Sequence, residues 1–185
     1  MTRLLTIALV LLASSWAGAE TLSERPAFAK LKPEAQALVQ TWLNKNCGAA
    51  EQRVFENQLL EVGSVVEPVF WEAFRLGPTE QEVRTLSAAI AKRYDDRQSW
   101  LRQFGDAQMG KDETARQLAI PERQYADREI TQFTERYKTA ALAGLGLIGT
   151  QQSEAELKRI ADDGTNPAQL AAQEAVKGIR RQRDR

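Results

Sequence analysis

Any chemistry this chain performs must come mainly from carboxylates, amides, hydroxyls, amines and guanidinium groups, because its 185 residues include no histidine and a single cysteine, Cys47. Without imidazole the commonest general base and the commonest transition-metal ligand are missing. Zinc sites and Ser-His-Asp or Cys-His catalysis in their ordinary forms are therefore excluded. The most conspicuous acids are sequence neighbours, Asp95-Asp96 and Asp162-Asp163. Adjacent side chains diverge by about 100° on a helix, so neither pair faces itself across a substrate as two glycosidase carboxylates do. Both read as solvated helix ends. No calcium loop of alternating acids and glycine is present, and no cofactor or metal is expected. Cys47, in "NKNCGAA" between two helical patterns, reads as a small buried apolar residue.

The elements that would position these groups are helices. Ala35, Leu38, Val39, Trp42 and Leu43 follow the spacing of a buried helical stripe, as do Val83, Leu86, Ile90, Tyr94, Leu101 and Phe104, and later Ile130, Phe133, Tyr137 and Ala141. No alternating β-branched run predicts a strand. Thr79-x-x-Glu82, Ser153-x-x-Glu156 and Asn166-x-x-Gln169 have the form of capping boxes that open helices. Gly63, Gly77, Gly105, Gly149 and Gly164 stand where helices are expected to stop in a left-handed residue.

The first nineteen residues read as a cleaved export signal: Arg3, an apolar run from Leu4 to Ala13, and Ala17-Gly18-Ala19. The run is shorter than the roughly 20 residues a membrane span needs, so no stable insertion is expected after cleavage. The expected location is extracytoplasmic, periplasmic in a Gram-negative host and secreted otherwise. Residues 20–185 then form one domain. Of 25 basic residues Arg3 belongs to the leader, which leaves 24 against 25 acids and a net charge of −1. That balance argues against nucleic acid as a partner. The basic end, "KGIRRQRDR", reads as a helix terminus whose cations suit its dipole.

"VFENQLLEVGS" (54–64) and "AALAGLGLIGT" (140–150) align at an offset of 86 residues, and Trp71 with Leu157 and Phe74 with Ile160 keep that offset. Half of it, about 43, is the period of a two-helix solenoid repeat. The stretch "TAALAGLGLIGTQQSEAELKRIADDGTNPAQLAAQEAVKGI" (139–179) resembles HEAT-type repeats, with 53–94 resembling them less closely. The resemblance implies an all-α short α-solenoid of about four antiparallel pairs: 33–46 with 50–62, 66–76 with 79–104, 113–119 with 122–148, and 153–163 with 167–180. Residues 20–32 would be an irregular lead-in or cap. The alternative is a compact non-repeating helical bundle. In the solenoid reading Gly144 and Gly146, costly inside a helix at about 1 kcal/mol each, are expected to let two helix axes approach closely. A Gly-x-Gly phosphate loop needs a preceding strand and is not expected.

A helical scaffold of this kind is expected to bind another protein noncovalently, without enzymatic activity. In "EPVFWEAFRLG", Trp71 and Phe74 occupy positions that are apolar in the second copy, whereas Phe70 falls outside that match. Phe70, Arg93, Asp96, Arg97 and Trp100 are the expected partner contacts. The alternatives are a carboxylate-dependent hydrolase or lyase acting on envelope polysaccharide, and an inhibitor or immunity protein for a secreted enzyme.

Overall fold

The computed structural model describes residues 20–44 and 49–184; the expected export signal and Cys47 lie outside them. The described residues are helical throughout, without a strand. The helices are α1 (Pro26–Ala29), α2 (Pro33–Asn44), α3 (Ala49–Val62), α4 (Glu67–Leu76), α5 (Glu80–Trp100), α6 (Asp106–Met109), α7 (Lys111–Leu118), α8 (Glu122–Ile148), α9 (Gln151–Asp162) and α10 (Gln169–Arg183). None of the described helices is long and apolar enough to cross a membrane. The long pattern 122–148 is one unbroken helix of about 40 Å at 1.5 Å per residue.

Local chemistry explains the boundaries. Thr79 and Glu82 form the expected capping box: Glu82 N donates to Thr79 Oγ1 at 3.2 Å and Thr79 N to Glu82 Oε2 at 2.8 Å. α9 starts two residues earlier than expected because Thr150, not Ser153, accepts the capping bond. Asn166 accepts from Ala168 N and closes a turn before α10. Gly63 and Gly77 take positive φ, 70° and 76°. Gly105, Gly149 and Gly164 do not. Gly105 continues a π turn, and Gly149 is extended at φ −67°, ψ 147°.

The C-terminal half of α8 is the axis of the core. α2, α3, α4, α5 and α10 all pack on α8, and α9 packs on α10. Tyr137, Ala141, Leu142, Leu145 and Ile148 are buried from α8, with Val69, Phe70, Trp71 and Ala73 from α4 and Ala172, Ala175, Val176 and Ile179 from α10. The glycines are what allow it. A Cβ on Gly144 would stand 2.6 Å from the Phe70 ring. A Cβ on Gly178 would stand 2.5 Å from Gly146 O, and one on Gly146 would stand 2.8 Å from Ala175 Cα. α8 and α10 therefore touch backbone to backbone.

Residues 20–31 belong to this core rather than leading irregularly into it. Leu22, Phe28 and Leu31 are buried, and Arg25 is only 2% exposed. Arg25 Nη1 donates to Gly77 O at 2.7 Å, where its charge meets the carbonyl end of α4. Arg25 Nε pairs with Glu20 at 3.3 Å, and Gln81 N donates to Glu20 O. At the other terminus Arg180 and Arg183 grip Glu154 at 2.6 and 3.0 Å, and Lys177 pairs with Glu174. The hydrogen bond from Arg180, with both guanidinium charges, holds the Glu154 carboxyl below the usual glutamate value.

Residues 80–132 form an arm outside the main core; none of them belongs to its cluster. α5 returns along α8 in antiparallel fashion, with Gly77 beside Lys138 and Thr134, and Arg93 paired with Glu129. The arm buries Ile90 and Leu101. It is pinned by Tyr94 Oη donating to Ile120 O at 2.9 Å and by Tyr94 against Tyr125 at 5.6 Å. Its interior also encloses the Gln98 amide, whose Nε2 finds no hydrogen-bond partner. An unsatisfied buried donor costs about 1–3 kcal/mol, so Gln98→Met is expected to leave stability unchanged or raise it by up to that amount. Urea denaturation measures it, and a clear loss of stability would show that the amide is satisfied in solution.

Candidate functional site

Three surface features place polar or aromatic groups where a ligand could reach them. The first is the outer end of the arm. Arg93, Asp96, Arg97 and Trp100 stand three and four residues apart and share one stripe of α5. Arg97 is partly committed: it donates to Gln117 O at 3.3 Å and to the Gln117 side chain, and lies 5.5 Å above the Tyr125 ring. Trp100 and Phe104 are 43% and 44% exposed with ring centroids 6.3 Å apart, and Met109 follows, also exposed.

Phe104 was expected on the buried stripe with Leu101. The π turn Leu101–Gly105 winds more slowly than an α-helix and rotates position 104 off that stripe. Gly105 makes the turn possible by lying against Thr114, where a Cβ would sit 2.7 Å from Thr114 Cγ2.

Phe70 does not join this group. It is 0% exposed, under α8 at Gly144, and cannot meet a partner in this fold. α4 is covered on more than one side, by α8 and by the α1 segment, so Val69 and Phe70 are buried along with Trp71.

The second feature is a groove of about 700 Å³ between α2, the start of α3 and α8. Its wall is Trp42, Phe133, Tyr137, Ala140 and Ala143. Trp42 Nε1 donates to Ala140 O at 2.7 Å, and Phe133 meets Tyr137 edge to face at 5.9 Å and 61°. The rim carries Asn44, Gln52, Gln132, Glu135 and Arg136. The Tyr137 hydroxyl is buried without a hydrogen-bond partner. Burial first, and then the negative charge of Glu82, push it above the ordinary phenol value, so it stays protonated and is no general base.

The third is a polar groove of about 620 Å³ between α4 and α9, where Glu67, Glu72 and Glu156 surround Trp71 and Arg75. Acids from two helices beside an aromatic ring are what two-carboxylate glycan cleavage would need. Each acid here is tied to a neighbour. Glu67 accepts from Thr150 Oγ1 at 3.0 Å and from the Ser153 hydroxyl, which also accepts from Trp71 Nε1 at 2.7 Å. Glu72 accepts from Ala27 N at 3.2 Å, and Glu156 accepts from Arg75 at 2.7 Å. The Arg75 guanidinium lies 5.2 Å over the Trp71 ring. The arrangement joins helix ends. Among the described residues no group of three or more acids and Cys could hold a metal ion. Asp95, Asp96, Asp162 and Asp163 are exposed, and hydrogen bonds from Thr165 hold Asp163 below the usual aspartate value.

No family model, curated protein or solved structure matches this chain.

Proposed function

We propose that the protein is exported and binds another protein noncovalently through the outer end of its arm. One observation carries this: Trp100 and Phe104 stand exposed together on a face that also bears Arg93 and Asp96. Isolated exposed apolar residues are ordinary, whereas an exposed aromatic pair rimmed by charge is the composition of an interaction hot spot. Net charge near zero fits a protein partner better than a polyanion.

For the arrangement of the helices we favour the bundle over the HEAT-like stack. Equal burial of Leu59 and Leu145, and partial burial of Phe74 and Ile160, support a repeat. Against it, a stack contacts only its chain neighbours, whereas α8 touches five helices. Gly63 and Gly149 also differ: the first is left-handed with open space around it, the second extended against Ile179 and Ser153.

The test is retention of proteins from the extracytoplasmic fraction by the immobilised protein and by its Trp100→Ala/Phe104→Ala variant. Hot-spot residues are worth about 2 kcal/mol or more each. The variant should therefore lose the specific partner at least tenfold while its thermal unfolding is unchanged. Identical retention by both would defeat the assignment. A single tight partner that is itself a secreted enzyme would narrow it to an inhibitor. Release of soluble fragments from wall glycan, abolished by Glu67→Gln, would replace it with the hydrolase or lyase reading.

A further inference from the structure

The groove between α2 and α8 is remote in sequence from Trp100 and Phe104 and has a different composition. Its wall is aromatic and fixed in advance. The Trp42 indole is held by its bond to Ala140 O, and Phe133 is set against Tyr137. Rings locked this way offer flat apolar contact at little cost in conformational entropy. Beside that wall the lining also carries planar, two-pronged polar groups: the amides of Gln132 and, from α3, Gln52, with the Glu135 carboxylate and the Arg136 guanidinium on α8 itself. Among the described lining residues Glu135 and Arg136 balance, so these carry no net charge to select an ion.

A ligand that satisfies both sides needs one flat C–H face for the rings and an edge of groups that donate and accept at once. Hydroxyls do both, and adjacent hydroxyls match a two-pronged amide, carboxylate or guanidinium. We infer that this groove is a binding cleft for a neutral oligosaccharide, with Trp42 and Phe133 as the stacking wall and Gln132, Glu135 and Arg136 as the hydroxyl-reading rim. The volume lies within the roughly 300–1,000 Å³ of small-molecule sites. A peptide that binds by adding a strand would need a sheet edge, and the described residues contain no strand. Among the described residues Glu135 is the only acid in the lining. The cleft therefore lacks the second carboxylate that glycosidic cleavage uses, and it binds without cutting.

The experiment titrates the purified protein with chitotetraose and cellotetraose, and in separate arms with an acidic tetrasaccharide and an unrelated apolar peptide. Binding is followed by calorimetry and by the chemical shift of the Trp42 indole N–H. Saturable binding of at least one neutral tetrasaccharide is expected, with Kd in the range of about 0.1–1 mM and a shift of that indole signal. Because Trp42 also braces α8, the exposed substitutions Gln132→Ala and Arg136→Ala carry the test. Together they should weaken binding about tenfold or more, while Trp100→Ala leaves it unchanged. No saturable binding of a neutral saccharide, preference for the acidic saccharide or the peptide, or indifference to the rim substitutions would each overturn the inference.

Discussion

Phe70→Ala should destabilise the fold by about 3–5 kcal/mol, the cost of removing a fully buried aromatic ring and leaving its space empty. The ring is 0% exposed and fills the position a Cβ on Gly144 would need. Its loss opens the α4–α8 interface at the centre of the core, where Val69, Leu142 and Leu145 also lie. The same geometry predicts a rescue. Gly144→Ala alone is destabilising because its methyl would stand 2.6 Å from the ring, whereas in a Phe70→Leu background it should cost less than the sum of the two single changes. Urea unfolding of the four proteins measures the coupling. If Phe70→Ala left stability intact but abolished partner binding, Phe70 would be a contact residue after all.

Gly146→Leu should be the more disruptive substitution, costing about 4 kcal/mol or more and separating α10 from α8. Here the obstructing atoms are backbone: Ala175 Cα lies 2.8 Å from the added Cβ, and no rotamer change relieves it. Gly178→Ala is the finer probe. Alanine favours the helix by about 1 kcal/mol over glycine, yet the Cβ would meet Gly146 O at 2.5 Å. The net result should be a loss of about 1–3 kcal/mol. Thermal unfolding with far-ultraviolet circular dichroism reads both, and a stabilised Gly178→Ala would show that the two backbones do not touch.

The helices were legible in the sequence because their signals are local. The apolar stripe of α2, the Thr79–Glu82 box and the positive-φ glycines at 63 and 77 each act within a few residues. The small residues of 140–149 were legible as a close helix approach, but Gly178 as their counterpart was not, since nothing in a local spacing says which distant segment will cross. Gly149 does end α8, but extended rather than left-handed, clearing Leu145 O, whereas Gly105 ends no helix and is glycine to admit Thr114.

At the candidate site the α5 stripe from Arg93 to Trp100 followed from helical spacing, whereas Phe104 did not. Its place depends on a π turn that the apolar pattern does not encode. Phe70 was misplaced because an 86-residue match to an imperfect second copy carried no information about α8 covering α4. The aromatic groove joins residues nearly 100 positions apart, through the bond of Trp42 to Ala140. No motif announces such a site.

The most direct measurement is photo-crosslinking in the intact exporting cell, with a photoreactive phenylalanine analogue placed at position 104 in one strain and at position 70 in another. Position 104 should yield one discrete adduct with a protein, lost when Trp100 is changed to alanine, and position 70 should yield none. No adduct from 104, or an adduct from 70 in folded protein, would contradict the assignment of the arm as the surface that binds.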